Sequence, residues 1–272
     1  MATEVEIANM ALAELGESQV TALSDKSSIG LETILDNARD ELLGLHPWAF
    51  AMKRTRLKAA GILNCSAKTI TFVVNSGADT ITDSGSGLVT GGFVGKEMVK
   101  IVGSGSNETT YALNTVAAGT LTLETYETVK AEVLTNDTDL KLYAVPSSEW
   151  NYKYAKPSDS ITIFELNGYK INSMRDNVFD IENDYIVTNE IDTNDEIYIS
   201  YTQQITDPTK FSILFTQILV LMIAARVCMP ITQDKGLQAS LLDRVKRKML
   251  DNMSAAEGSR NESREDTSWQ VR

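Results

Sequence analysis

The feature that most restricts what this chain can become is a change of period in its middle. From Ile70 to Val133 the sequence is rich in Thr, Val, Gly and Ser, and apolar residues alternate with polar ones in stretches such as Thr80-Ile81-Thr82, Val99-Lys100-Ile101-Val102 and Thr120-Leu121-Thr122-Leu123. A strand sends successive side chains to opposite faces, so such alternation between glycine clusters predicts a small all-β module. Its edges fall in loop-like sequence near Gly61 and Pro146, and its character differs from both flanks, which reads as an insertion into a helical host.

The flanks follow the helical period. Ile7, Ala8, Ala11, Leu12 and Leu15 recur at helical spacing, with Gly16 as the C-terminal cap residue. After a polar stretch from Ser24 to Ser28, Ile29, Ile34, Leu35, Ala38, Leu42, Leu43 and Leu45 continue the pattern up to Pro47, because the residue before a proline resists helical dihedrals. The two segments read as an antiparallel helical hairpin. Trp48, Phe50 and Met52 then alternate ahead of the basic run Lys53, Arg54, Arg56 and Lys58, as in a short strand. Beyond the β module, Trp150, Tyr152 and Tyr154 alternate, and Ile161–Leu166, Tyr169–Ile171, Tyr185–Val187 and Glu196–Tyr201 are strand candidates for a second, smaller sheet.

The last part returns to helix at Thr206-Asp207-Pro208, where a capping side chain precedes a proline suited to a first turn. From Phe211 through Val227 the pattern is apolar nearly all round, which implies burial on most sides and more apolar surface than a lone monomer covers. Pro230 is expected to break the chain before a final amphipathic helix over Thr232 to Glu257, with Leu237, Leu241, Leu242, Val245, Met249 and Met253 on one side. The tail beyond Gly258 has almost nothing to bury and is expected to be disordered when alone. These patterns predict an α+β fold: a helical-bundle core with a small β-sheet over 1–61 and 146–258, an inserted all-β domain over 62–145, and an extended, flexible C-terminal arm over 259–272.

Composition narrows the function. At 272 residues the chain can bury a core, and a net charge of -12 opposes sequence-independent DNA binding, which relies on Lys and Arg neutralising phosphates. An acidic surface suits DNA that slides past rather than DNA that is gripped. The richest apolar run, Ile218 to Ala225, falls short of the roughly 20 residues of a membrane span. Met-Ala-Thr-Glu at the start is acidic where a secretory signal is basic, so no export is expected. Cys65 and Cys228 sit in unrelated patterns and are read as reduced and inert, without a disulfide or zinc site.

Little in the sequence points to catalysis. The chain has one histidine, His46, so a His dyad or multi-His metal site is impossible within it, and its place before Pro47-Trp48 suits a helix end. Gly85-Ser86-Gly87 and Gly103-Ser104-Gly105 lack the lysine and helix of a phosphate loop and read as turns. Asp176, Asp180, Glu182 and Asp184 offer oxygen ligands for calcium, but their spacing is not that of an EF-hand loop. No cofactor is expected. Lys53, Arg54, Arg56 and Lys58 read as a solvated or subunit-facing edge before a nucleic-acid contact, since strand alternation divides them between two faces. Arg244, Lys246, Arg247 and Lys248 suit the end of a helix, where the dipole favours cations. Trp269, in a tail too polar to fold, fits an anchor that orders on a partner, although a chance tryptophan in a flexible end has the same appearance.

Three stretches taken in order resemble a known family. Ile7-Ala8-Asn9-Met10-Ala11-Leu12-Ala13-Glu14-Leu15-Gly16-Glu17 leads to Asn37-Ala38-Arg39-Asp40-Glu41-Leu42-Leu43 and His46-Pro47-Trp48-Ala49-Phe50-Ala51. Much later come Tyr201-Thr202, Ile205-Thr206-Asp207-Pro208-Thr209-Lys210-Phe211, a long apolar helix, and Pro230-Ile231-Thr232-Gln233. This order is similar to the head-to-tail connector, or adaptor, proteins of tailed bacteriophages, the tail tubular protein A family of short-tailed phages. The resemblance covers the chain on either side of the β module.

It implies a non-enzymatic structural protein of the virion neck, made in the host cytoplasm, that forms an adaptor ring, usually a dodecamer, beneath the portal vertex. The implied partners are neighbouring copies, the portal protein, and downstream tail, nozzle or fibre proteins. Double-stranded DNA would pass through the channel during ejection without specific binding, and no membrane is involved. Arg260, Arg264, Trp269 and Val271 of the arm, with Arg244 and Arg247 of the preceding helix, are the expected contacts with portal or neighbour. The β module lies outside the usual adaptor core. A rival reading makes it the recognition element of a virion surface or glycan-binding protein, although Phe72, Phe93, Tyr111 and Tyr126 are few and read better as core than as an aromatic platform.

Overall fold

The computed structural model describes residues 3–146, 149–170 and 179–265, with backbone only at Lys170 and over 251–265. Two compact units emerge: Met1–Met52 with Thr202–Arg272, and Lys53–Tyr201. In the first, α1 (Glu4–Ala13) opens with a capping box in which the Thr3 hydroxyl accepts from the Glu6 N–H at 3.2 Å and the Glu6 carboxylate accepts from the Thr3 N–H at 2.8 Å. The polar stretch before the second helix is a 3-10 segment, Leu23–Ile29, and Gly30, at φ +65°, joins it to α2 (Leu31–Leu45). Left-handed φ is where glycine is favoured, so the change of axis sits there.

The Thr206-Asp207-Pro208 signal forms a separate single turn, Pro208–Lys210, capped by Asp207, which accepts from the Thr209 N–H at 3.0 Å. The long helix α3 (Ile213–Thr232) then starts afresh at Ser212. It passes through Pro230, because a proline this near the C-terminus disrupts only the bond to the carbonyl four residues back, in the last turns. Phe215, Ile218 to Ala225, Val227 and Cys228 are buried, and α1, α2 and α4 (Lys235–Glu265) pack against α3. The expectation that a monomer fails to cover this helix is therefore corrected: three helices of the same chain cover it. By length and composition α3 is also long and apolar enough to cross a membrane, as Thr216, Gln217 and Arg226 interrupt the apolar run but not the helix. Its burial against the other helices explains that apolarity.

The described residues of the second unit are strands, turns and loops. The largest sheet has the order β2-β9-β5-β6-β7-β4-β3-β8. Its strands are β2 (Gly61–Ile62), β3 (Thr69–Val73), β4 (Thr80–Asp83), β5 (Met98–Val102), β6 (Thr110–Ala117), β7 (Thr120–Leu123), β8 (Glu132–Thr135) and β9 (Lys141–Val145). Alternate residues of these strands, among them Ile70, Phe72, Ile81, Val99, Leu113, Leu121 and Leu142, share one core. The sheet bends at β6, whose first half pairs with β5 and second half with β7, with a register shift between Leu113 and Thr115. A bulge of this kind sharpens local twist and lets one strand serve two sheet segments.

The remaining strands are β1 (Met52–Lys58), β10 (Tyr152–Ala155), β11 (Ser160–Leu166), β12 (Tyr169–Lys170), β13 (Phe179–Glu182), β14 (Tyr185–Thr188) and β15 (Glu196–Gln203). They form a four-stranded sheet, β1-β15-β11-β12, and a three-stranded sheet, β10-β14-β13. A second core gathers Ala59, Tyr154, Ile163, Leu166, Ile186, Ile197, Ile199 and Tyr201 with Tyr143 and Val145 of β9. Leu142 and Ala144 of the same strand belong to the first core. Strand β9 is thus buried on both faces and seals two cores at once.

This architecture overturns the predicted fold class. The chain is mostly β, in three sheets, and a helical-bundle core carrying a small sheet does not describe it. Every strand beyond the β module except β13 was legible, but seven short strands, β1 among them, make two sheets sharing a core with β9 rather than an accessory to helices. The strand expected at Trp48-Phe50 starts only at Met52. Trp48 instead packs in a turn, its indole N–H donating to the Leu42 carbonyl at 2.7 Å. The final helix runs to Glu265, through Gly258, where a disordered arm was expected to begin.

Candidate functional site

The expected partner-binding residues are strung along α4 and beyond. Helices α3 and α4 run antiparallel, with the Gln238 amide donating to the Ala225 carbonyl at 3.1 Å and the Lys248 ammonium to the Gln217 side chain at 2.9 Å. By that register, α4 beyond Asp251 runs past the start of α3 at Ile213. Arg244 turns toward α1: its guanidinium donates to both oxygens of Glu14, at 2.7 and 3.4 Å, and this carboxylate raises the Arg244 pKa. Arg247 pairs with Asp243 one turn earlier at 2.6 Å, and its side chain is 75% exposed. Arg260 and Arg264 lie on the helical backbone of α4, about 24 Å of helix from Arg244 for the nearer. Trp269 and Val271 lie outside the described residues. The six do not converge on one described site.

Beside Arg244 the helices leave a groove of about 690 Å³, lined by Met10, Ala13, Val220 and Leu221 and by the polar groups of Glu14, Thr216, Gln217, Arg244 and Lys248. At the start of α3, Ile213 is 81% exposed and Leu250 of α4 is also exposed, which adds apolar surface to the region where α4 extends.

The groups with reactive chemistry are engaged structurally. His46 meets the Trp48 ring edge-on at 5.1 Å between centroids, at the end of α2. Cys65 and Cys228 are buried free thiols, and burial pushes the Cys65 thiol up to about 11, away from thiolate reactivity. No three His, Cys, Asp or Glu side chains among the described residues gather as a metal site, and Asp176 lies outside those residues. Gly85 and Gly87 form the expected turn, both N–H groups donating to the Asp83 carboxylate at 2.8 Å. Gly103, at φ +85°, passes so close to Asp139 that a Cβ would lie 2.3 Å from its carbonyl oxygen.

The basic run occupies β1, at one end of its sheet. The Lys53 ammonium donates to Asp159 at 2.8 Å and sits 5.7 Å from the centre of the Tyr201 ring, while Arg56 reaches Glu196 at 3.4 Å. The hydrogen bond from Lys53 draws the Asp159 pKa down, and the Tyr201 hydroxyl adds to this. Of the four aromatics weighed as a platform, Phe72, Phe93 and Tyr111 are core, but Tyr126 is 73% exposed, a correction to its expected burial. One exposed ring is not a platform.

Sequence reasoning missed two polar ties inside the β unit. The Asp195 carboxylate accepts from the Lys141 ammonium at 2.7 and 2.8 Å and from the Tyr143 hydroxyl at 2.6 Å. Burial, with the Asp195 carboxylate next, raises the Tyr143 pKa, so the phenol stays a donor. Lys153 is fully buried, paired with Glu97 and lying 4.7 Å from the centre of the Tyr185 ring. The only local signal was a lysine between two alternating tyrosines. No family model and no curated protein matches this chain.

Proposed function

We propose that this chain is a structural virion protein of a tailed bacteriophage, forming an adaptor ring between portal vertex and tail and giving DNA a conduit. The observation that carries the reading is where the resemblance-bearing stretches fall. Residues 7–17, 37–51 and 201–233 are far apart in sequence, yet apart from Tyr201 they lie in one compact unit. Trp48 and Phe50, from the second stretch, pack edge-on against Phe215 at 5.1 Å between centroids, and Phe50 meets Phe211 of the third at 6.0 Å. Arg226 of α3 pairs with Glu41 of α2. That the segments carrying the resemblance also share a core supports reading them as one module, with the β unit inserted between them in sequence.

The extension of α4 past α3 supports a helical arm that reaches the portal. The acidic balance supports passage of DNA without adhesion. The test is to mix purified protein with portal rings of its phage and measure mass by light scattering, beside a chain truncated after Gly258. A discrete portal-bound ring that requires residues 259–272 is expected. A chain indifferent to portal rings sinks the reading.

A further inference from the structure

Most ends of the three sheets are protected. Strands β2 and β12 are two residues long, β1 carries exposed Lys53, Arg54, Arg56 and Lys58, and β13 carries exposed Asp180 and Glu182. The outer side of β10 is met by Ala59, which bridges Tyr154, and by the Ala60 N–H, which donates to the Lys153 carbonyl at 2.8 Å. Short, charged or covered ends are how proteins keep a free strand edge from pairing with another chain. The remaining end, β8 of the largest sheet, has none of these guards.

Which backbone groups of β8 face outward follows from its neighbours. The Asn136 N–H donates to the Lys68 carbonyl at 2.8 Å, and Leu134 stands opposite Ile70 and Glu132 opposite Phe72, so Glu132 and Leu134 are the residues whose backbone bonds to β3. On the far side of β3 the Ser84 N–H donates to the Thr69 carbonyl at 3.0 Å, so Thr69 and Thr71 turn their backbone to β4, which agrees with that alternation. The N–H and C=O groups of Ala131, Val133 and Thr135 therefore point away from the sheet. All three residues are uncharged and exposed, Val133 at 64%. The one charged side chain of β8, Glu132, shares a face with Leu134, which packs against the core, and accepts from the Ser104 hydroxyl at 2.6 Å and the Asn107 amide at 2.8 Å.

We infer that β8 is a self-pairing edge: two copies of the chain join antiparallel about a two-fold axis at Val133, with Val133 opposite Val133 and each Ala131 opposite the other copy's Thr135. In this register outward-pointing residues meet only outward-pointing residues, as an antiparallel ladder requires. A slip of one residue sets outward backbone against inward backbone and breaks the ladder. A slip of two in one direction brings Thr135 to Val129, whose N–H is already taken by the Asp79 carboxylate at 2.9 Å. In the other direction it brings Ala131 to Asp137, past Asn136, whose φ of +55° ends the extended strand. Charge favours the same arrangement. Exposed Lys130 precedes the strand and Asp137 and Asp139 follow it, so antiparallel pairing carries each lysine to the other copy's acidic end, whereas parallel pairing sets like charges side by side. The contact is isologous and closes at two copies. It concerns the β unit alone and does not rest on the adaptor reading.

The test follows the full chain by sedimentation equilibrium over a concentration series up to its solubility limit, with hydrogen exchange read at single amides. A reversible dimer is expected, in which the amides of Ala131, Val133 and Thr135 gain protection as concentration rises. Val133→Lys and Val133→Glu each set like charges on the axis and are expected to weaken pairing by about ten-fold or more, while an equimolar mixture of the two restores it as a heterodimer. A chain that stays monomeric throughout the series overturns the pairing. So do three amides that exchange equally fast at every concentration, a measurement that needs no variant and that association through the helical unit would not move. Variants that associate as well as wild type overturn it too, and a mixture that is not restored overturns the two-fold register at Val133.

Discussion

The helical unit and the β unit solve burial in opposite ways. In the helical unit one helix, α3, is the centre, and α1, α2 and α4 each cover part of it. The aromatic group of Trp48, Phe50, Phe211 and Phe215 closes one end of that centre. The β unit has two cores instead, joined through β9 and tied by Lys141-Tyr143-Asp195 and Lys153-Glu97. A single apolar centre makes stability hang on a few large side chains. Two cores sharing a strand spread the load and add polar ties that fix how the sheets meet.

The difference is sharpest at Phe215, which is fully buried and touches three aromatic rings. Phe215→Ala is expected to cost about 3–5 kcal/mol and to open the helical unit while amides of β5 and β9 stay protected, as read by hydrogen exchange. Equal loss of protection in both units would mean they unfold as one. Lys153→Ala is expected to cost roughly 3 kcal/mol by denaturant titration, because it empties a buried site and strands Glu97; Lys153→Met, which keeps the stem's volume, should cost less. If the two variants matched, packing would not matter at that tie. Asp195→Asn should cost about 1–3 kcal/mol, since the Tyr143 hydroxyl and the Lys141 ammonium lose a charged acceptor.

A smaller effect concerns pH. The folded pKa of Asp159 is lowered, first by Lys53, so its contribution is present above the ordinary carboxylate pKa of about 4 and is lost as pH falls through the lowered value. The stability gap between wild type and Asp159→Asn should therefore be constant from neutral pH down to about 4 and close below it. A gap that narrowed instead toward alkaline pH, below the range where lysine titrates, would remove the carboxylate as its source. Arg247→Ala, breaking an exposed pair one turn apart on α4, should change stability by about 0.5 kcal/mol or less.

Much of the local structure was legible. Most period-two stretches became strands, the Trp48-Phe50 stretch excepted, and the alternation of Ile70, Phe72 and Ile81 places those side chains in the core as a half-buried sheet requires. The helical period of α1 was legible, and the Asp207-Pro208 signal marked a real cap, although it opens a separate turn. Of the candidate contacts, the sequence put Arg244 and Arg247 on a helix but not Arg244 against Glu14, a residue 230 positions away. Tyr126 looked like core because aromatic residues in β-rich sequence usually are; its exposure depends on a loop whose path no local pattern sets.

By itself, then, the sequence determined what depends on near neighbours: a β middle between helical ends, the Asp207-Pro208 cap, the Gly85-Ser86-Gly87 turn, and the basic run of β1. Only the tertiary structure decided that α3 is covered within its own chain, that β9 is buried on both faces, that Lys153 loses all solvent, and that the sheets outweigh the helices. Periodicity reports which side of an element avoids water. What it avoids water against is settled by residues far away in sequence, whose meeting depends on the packing of the whole chain.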